Sequence, residues 1–181
     1  MFYYPMNTPA GIITILWQNN EKDFSIERIM LPPKRKNVVT PILRDDPNAA
    51  ENTPSAIEKL AADITLFFAG KDPARSLTYL AGNRLSPFQT KVLDETTRIP
   101  RGKVMSYGTL ASRIGHSGAA RAVGTALAHN PFPLLIPCHR VVRASGRIGR
   151  FGGGSAMKRL LLKREGVPIE NDTVHPFSFV Y

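Results

Sequence analysis

A single cysteine, Cys138, is present in 181 residues, so no internal disulfide can close, and a reduced, cytoplasmic setting (nuclear in a eukaryote) is expected. Long apolar runs are missing too: none approaches the ~20 residues that a membrane span requires. The opening residues, MFYYPMNTPAG, have neither a basic nor an apolar stretch, so no secretory leader is expected there. Acidic residues are scarce in one half only. Residues 91–181 hold 5 Asp and Glu against 14 Lys and Arg, whereas residues 1–90 hold 9 against 10. Almost all of the net charge of +10 therefore lies in the half that holds Cys138. Such a surface attracts polyanions, with nucleic acid the leading candidate and a merely soluble basic face the alternative. The stretch GRFGGGSAMK lacks the Gly-Lys-Ser/Thr of a phosphate-binding loop. His116, His129 and His175 have no cysteine or carboxylate at ligand spacing, so neither a metal nor a cofactor is expected.

The remaining pattern is α/β. AGIITILWQ and FSIERIML look like two strands joined by the polar turn NNEKD. Residues 33–54, rich in proline and charge, look like a connector. A helix follows, with Thr53 expected as its N-cap and Pro54 as its first residue. Ile57, Leu60, Ala61, Ile64, Phe67 and Phe68 share one face, and Gly70 marks the stop. A second helix is expected to begin near Ser86, again with proline next. Two domains are expected, 1–80 and 81–181, with the boundary between residues 71 and 85.

Residues 106–131 have the spacing of a helix-turn-helix, with helices expected over 106–114 and 118–129. Leu110 with Ile114, and Val123 with Leu127, are the inward pairs, and Asn130 before Pro131 ends the second helix. That second helix is nearly all Ala and Gly around Arg121. Gly124 in mid-helix costs about 1 kcal/mol against alanine, so something should require a close approach. A smooth helix with one cation suits a minor groove rather than base-edge reading. It suits packing against another helix equally well.

Cys138 sits in LLIPCHRVV, where an apolar strand is expected to end and turn. A lone cysteine among aliphatics is commonly an inert core residue. Here His139 and Arg140 follow it, and nearby cations favour thiolate. Neighbours on an extended chain point opposite ways, so a bridging water would carry the proton to His139. A carboxylate would orient the imidazole. Among Asp94, Glu95, Glu165, Glu170 and Asp172, Glu165 is best placed, after the helix that follows the glycine turn.

IPCHRVV, in order with SYGTLA, AARAVG, NPFPLLIPCHR and GGGSAMKRLLLKREG, resembles the O6-alkylguanine-DNA alkyltransferase family, the methylated-DNA–protein-cysteine methyltransferases. The likeness covers roughly residues 86–166 and is weaker over the first 80. It implies a ribonuclease-H-like N-terminal domain and a mostly helical C-terminal domain holding a winged helix-turn-helix. It also implies irreversible transfer of the alkyl group from O6-alkylguanine, with O4-alkylthymine as an alternative donor, in duplex DNA to Cys138, by a monomer with no cofactor and no membrane. On these positions His139 would be the base, Glu165 its partner and Asn130 the hinge behind the recognition helix. Tyr107 would bond the flipped base, Lys158 would support the site, and Arg121 would fill the gap in the duplex. Pro133, Val141, Ile148, Gly149, Phe151, Gly152 and Gly153 would line the pocket. Ala119, Ala120, Ala122, Gly124 and Thr125 would lie against DNA with Tyr107 and Arg121. The usual Tyr-Ser or Tyr-Ala before the double glycine is Phe151-Gly152 here, and the usual aromatic after Val92 is Leu93. The zinc that some members carry through N-terminal Cys and His is excluded, since neither type occurs before His116. Two other classes fit parts of the pattern: a non-catalytic binder of alkylated DNA, and a cysteine hydrolase acting repeatedly on small substrates.

Overall fold

The computed structural model describes residues 1–19, 24–32, 53–71, 79–81 and 85–180. Two compact units are present, Met1–Ala81 and Gly82–Tyr181. Most of the connector expected over 33–54, most of the NNEKD turn and most of the boundary region lie outside the described residues.

The first unit is a three-stranded antiparallel sheet in the order β1 (Phe2–Thr8), β2 (Gly11–Asn19), β3 (Phe24–Met30), with helix α1 (Ser55–Phe68). β2 is central, and its residues Ile13 to Trp17 are buried without alternation, as a strand covered on both faces must be. Trp17 stacks on Phe2 at 4.4 Å and meets the edge of Phe24, which stacks on Tyr79. β1 has no counterpart in the expectation. Pro5 disguises it, yet proline is tolerated on an edge strand, and β1 is one. α1 buries the six residues expected of its inner face. It begins one residue later than expected: Pro54 is the N-cap, and Ile57 N–H donates to its carbonyl at 2.8 Å. Gly70, at φ +84°, closes the helix in the left-handed region.

The second unit carries the basic half. α2 (Pro87–Thr97) starts as expected, with Ser86 Oγ accepting from Gln89 N–H and proline at the first position. β4 (Met105–Ser106) runs straight into α3 (Tyr107–Arg113), where Ser106 Oγ caps Thr109 N–H at 2.9 Å. α4 (Ala120–Ala128) follows after a turn; the two helices are two and three residues shorter than the expected spans. Beyond the cysteine come β5 (Val141–Val142), α5 (Ser155–Arg164) and the hairpin β6 (Ile169–Glu170) and β7 (Thr173–Val174). β4 pairs in parallel with β5, and on its other side Val104 exchanges hydrogen bonds with Ser178 and Val180. Val104, Val142, Ile148, Leu162, Val167 and Val174 form the core beneath.

The apolar strand expected ahead of Cys138 is not a strand. Leu134 and Leu135 make a turn closed by the Pro133–Ile136 bridge, and Cys138 opens a single 3-10 turn, Cys138–Arg140. Leu134 takes φ +76°, which the alternation of a strand forbids and which only a surrounding structure can impose on a branched residue.

Candidate active site

Four elements converge on the thiol. Asn130, just past α4, donates through Nδ2 to Cys138 Sγ at 3.2 Å and to Ile136 O at 3.1 Å. Its Oδ1 accepts from Phe132 N–H at 2.9 Å. One side chain thus pins the 130–138 turn at three points, including the sulfur. Burial pushes the Cys138 thiol above its ordinary range, against the Asn130 hydrogen bond, the Lys158 charge and backbone N–H groups, which pull it down. The sulfur rests as a thiol, and its proton needs an acceptor when it reacts.

His139 is fully buried, and its Nε2 lies 2.9 Å from Glu165 Oε1. Nε2 is engaged with the carboxylate, and Nδ1 is the other ring nitrogen. Glu165 follows α5 and keeps helical backbone angles. Although burial raises it, the neighbouring His139 and Arg140 hold its carboxyl down to about 2. Arg140 was expected to favour the thiolate, but its guanidinium is turned onto Glu165 instead: Nε reaches Oε2 at 2.8 Å and Nη2 reaches Oε1 at 2.7 Å. The third nitrogen, Nη1, donates to Ile99 O at 2.6 Å. The cation acting on the sulfur is Lys158, fully buried in α5, with Nζ donating to Val141 O at 2.6 Å. Burial lowers its pKa to about 8, although the Cys138 charge works the other way.

Tyr107 opens α3, half-buried, with Lys158 Nζ 5.9 Å from its ring centre. Burial and the Cys138 charge raise its phenol pKa, and Arg143 lowers it, so the hydroxyl stays a donor at neutral pH. Gly149 lies beside that hydroxyl at φ +72°; a Cβ there would stand 3.7 Å from Tyr107 Oη and from Arg143. Gly124 faces the same ring, its would-be Cβ 3.8 Å from Tyr107. This is ordinary contact, so no described neighbour demands glycine at 124.

The other pocket candidates are not all alike. Phe151 stands edge-on to His139, with ring centres 6.4 Å apart. Gly152 and Gly153 form the turn ahead of α5. Pro133 and Val141 are buried beside Cys138 in the chain, while Ile148 is in the hydrophobic core and can offer a ligand only its backbone. On α4, Arg121, Ala122 and Thr125 are exposed, and Ala119, Ala120 and Gly124 are half-buried. Glu95, another carboxylate candidate, is taken by Arg98 and Arg113. Among the described residues no three His, Cys, Asp or Glu gather as a metal site would need, and no helix is long and apolar enough to cross a membrane.

Residues 87–167 match the family model described as the 6-O-methylguanine DNA methyltransferase DNA-binding domain. A methylated-DNA–protein-cysteine methyltransferase from Methanothermobacter thermautotrophicus is 42% identical over 117 residues, which span 65% of each chain. The Mycobacterium tuberculosis protein of the same name is 40% identical over 62% of this chain and 67% of its own. The crystal structure of Mycobacterium tuberculosis OGT in complex with DNA superposes with a TM-score of 0.69 at 33% identity, covering 91% of this chain and 92% of that one.

Proposed function

The chain belongs to the methylated-DNA–protein-cysteine methyltransferase family, and on that premise we propose that it repairs DNA directly, moving the alkyl group of O6-alkylguanine in a duplex onto Cys138. The observation that carries this reading is the buried sulfur held by Asn130, next in the chain to the His139–Glu165 pair.

An atom inside a duplex is out of a thiol's reach, so the nucleotide must leave the stack, at a cost of a few kcal/mol. We read residues 81–181 as the DNA-binding and acceptor domain and residues 1–80 as a ribonuclease-H-like companion. α3 and α4 then form the helix-turn-helix of a winged fold. The smooth face of α4 lies in the minor groove, with Ala119, Ala120, Ala122, Gly124 and Thr125 against DNA and exposed Arg121 filling the gap. Pro133, Val141, Phe151, Gly152, Gly153 and the backbone at Ile148 and Gly149 receive the base, and the Tyr107 phenol donates to it.

In the reaction the thiol proton passes through a bridging water to His139 Nδ1, the Sγ–C bond forms as C–O6 breaks, and the electron pair leaves with guanine. Solvent returns a proton to guanine, and imidazolium releases its own. Displacement at a saturated carbon needs a strong nucleophile held in line, which a thiolate fixed by Asn130 and favoured by Lys158 provides. The product is a thioether with no carbonyl for water to attack, so each molecule, acting as a monomer, reacts once. A cytoplasmic or nuclear setting would keep the sulfur reduced.

Intact-mass measurement after incubation with O6-methylguanine duplex tests the reading. The expected result is a gain of one methylene per chain on the peptide holding Cys138. Binding without any mass gain, or repeated turnover, would overturn it.

A further inference from the structure

Arg140 is buried, and its guanidinium is turned onto Ile99 O and Glu165 rather than onto the thiol beside it. Its three hydrogen bonds anchor it to a fixed carbonyl, Ile99 O, and to both oxygens of Glu165. Glu165 Oε1 is shared, taking Arg140 Nη2 at 2.7 Å and His139 Nε2 at 2.9 Å. A buried carboxylate with imidazole as its sole partner would stabilise the imidazolium strongly. An imidazolium cannot accept the thiol proton. A guanidinium bound side-on to the same carboxylate takes part of that charge away and fixes its plane.

We propose that Arg140 is a positioning residue for Cys138 chemistry: by clamping Glu165 it orients His139 and keeps the imidazole a free base, ready to receive the thiol proton. The other titratable groups packed around this turn do not provide the same control. Lys158 of α5 acts on Cys138 and is held at Val141 O, and Tyr107 of α3 is a neutral phenol. Glu95 of α2 is engaged by Arg98 and Arg113. The Phe151 ring edge against His139 carries no charge.

The proposal deepens the alkyl-transfer reading and rests on it for its meaning, but it can be tested without DNA. Iodoacetamide alkylates the same sulfur, with the thiol proton going to His139 and iodide leaving, and its rate can be followed against pH by intact mass. For Arg140→Gln the rising limb should move to higher pH by about one unit or more, while the alkaline plateau changes little. Arg140→Lys, which restores charge without the fork, should return the limb close to its wild-type position at a lower plateau. In the unmodified protein, ¹⁵N spectra of His139 at pH 7.5 should show one ring proton, on Nε2. An unmoved limb in Arg140→Gln with a rate lowered equally at every pH would reduce Arg140 to a structural role and overturn the proposal. Doubly protonated His139 in the wild type would overturn it as well, whether or not the variants fold. Failure of the DNA reaction alone, with these results intact, would fall on the proposed function instead.

Discussion

Asn130 and Cys138 are joined by a hydrogen bond of 3.2 Å from amide to sulfur, so the end of α4 and the reactive atom move as one piece. An N–H donor favours thiolate over thiol, and a hydrogen bond to a charged group is worth ~1.5–3 kcal/mol. Asn130→Ala should therefore slow alkyl transfer near neutral pH by about 10- to 100-fold. It should also raise the pH at which Cys138 becomes reactive. Thiol reactivity against pH, measured beside the melting temperature, separates this from simple loss of the 130–138 turn: a variant that melts earlier but keeps the wild-type pH profile would contradict it.

Glu165 makes the fold sensitive to acid. Its carboxyl is held at about 2 in the folded chain against an ordinary 4.5. A depressed carboxylate contributes stability that is complete above the unfolded value and is lost as pH falls through the folded one. Stability should therefore decline between about pH 4.5 and pH 2, by an amount on the order of 3 kcal/mol. Glu165→Gln should be less stable at pH 7, because Arg140 is left buried without its anion. Its stability should also change less over the acid range. Thermal melts of both proteins from pH 7 to 2.5 provide the check, and parallel curves would refute the assignment.

The His139–Glu165 contact is legible in the sequence because few carboxylates exist in that half and one of them ends a helix. The destination of Arg140 is not legible. Beside a cysteine it counts as a cation favouring thiolate, and only the folded path of α5 brings Glu165 within reach of its fork. The turn at Leu134 and Leu135 is hidden for another reason: three aliphatics in a row carry the signal of a strand, while the positive φ of Leu134 is imposed by the residues packed around it. Lys158 looks like one more charge on an amphipathic helix, and its full burial follows from tertiary packing alone. By contrast the cap at Ser86 depends on a local hydrogen bond, and local sequence suffices to place it.

Arg121 is exposed in the first turn of α4. If it fills the vacancy left by a flipped nucleotide, it matters only when there is a stack to leave. Arg121→Ala should cut the rate on duplex O6-methylguanine by at least about tenfold, the equivalent of ~1.4 kcal/mol, and leave the reaction with the free modified base nearly unchanged. Rates on the two substrates, compared in one assay, decide the matter; equal losses would assign Arg121 to folding or to the pocket.

Gly152 stands where the resemblance to the family implies a serine or alanine. Unlike Gly149 it does not occupy the left-handed region, so serine can be placed there without backbone strain. Gly152→Ser should keep the melting temperature and raise the rate of methyl transfer by a few-fold, while slowing transfer of bulkier O6 groups. A slower methyl reaction with unchanged stability would show that the open turn itself is what the pocket needs.

Lys158 and Glu165 are seven residues apart along α5 and the turn that ends it. At ~3.6 residues and ~5.4 Å per turn, that spacing is two turns and about 10.5 Å, on nearly the same face. The helix therefore works as a ruler with two marks, one reaching the sulfur side of the Cys138–Arg140 turn and one reaching its histidine side. A ruler tolerates repainting but not a change of length. One residue inserted between the marks would swing Glu165 around the axis by about 100°, separating it from both His139 and Arg140 while Lys158 stayed in place. Exposed positions such as Lys163 and Arg164 can vary in chemistry, yet the count between 158 and 165 is part of the active site.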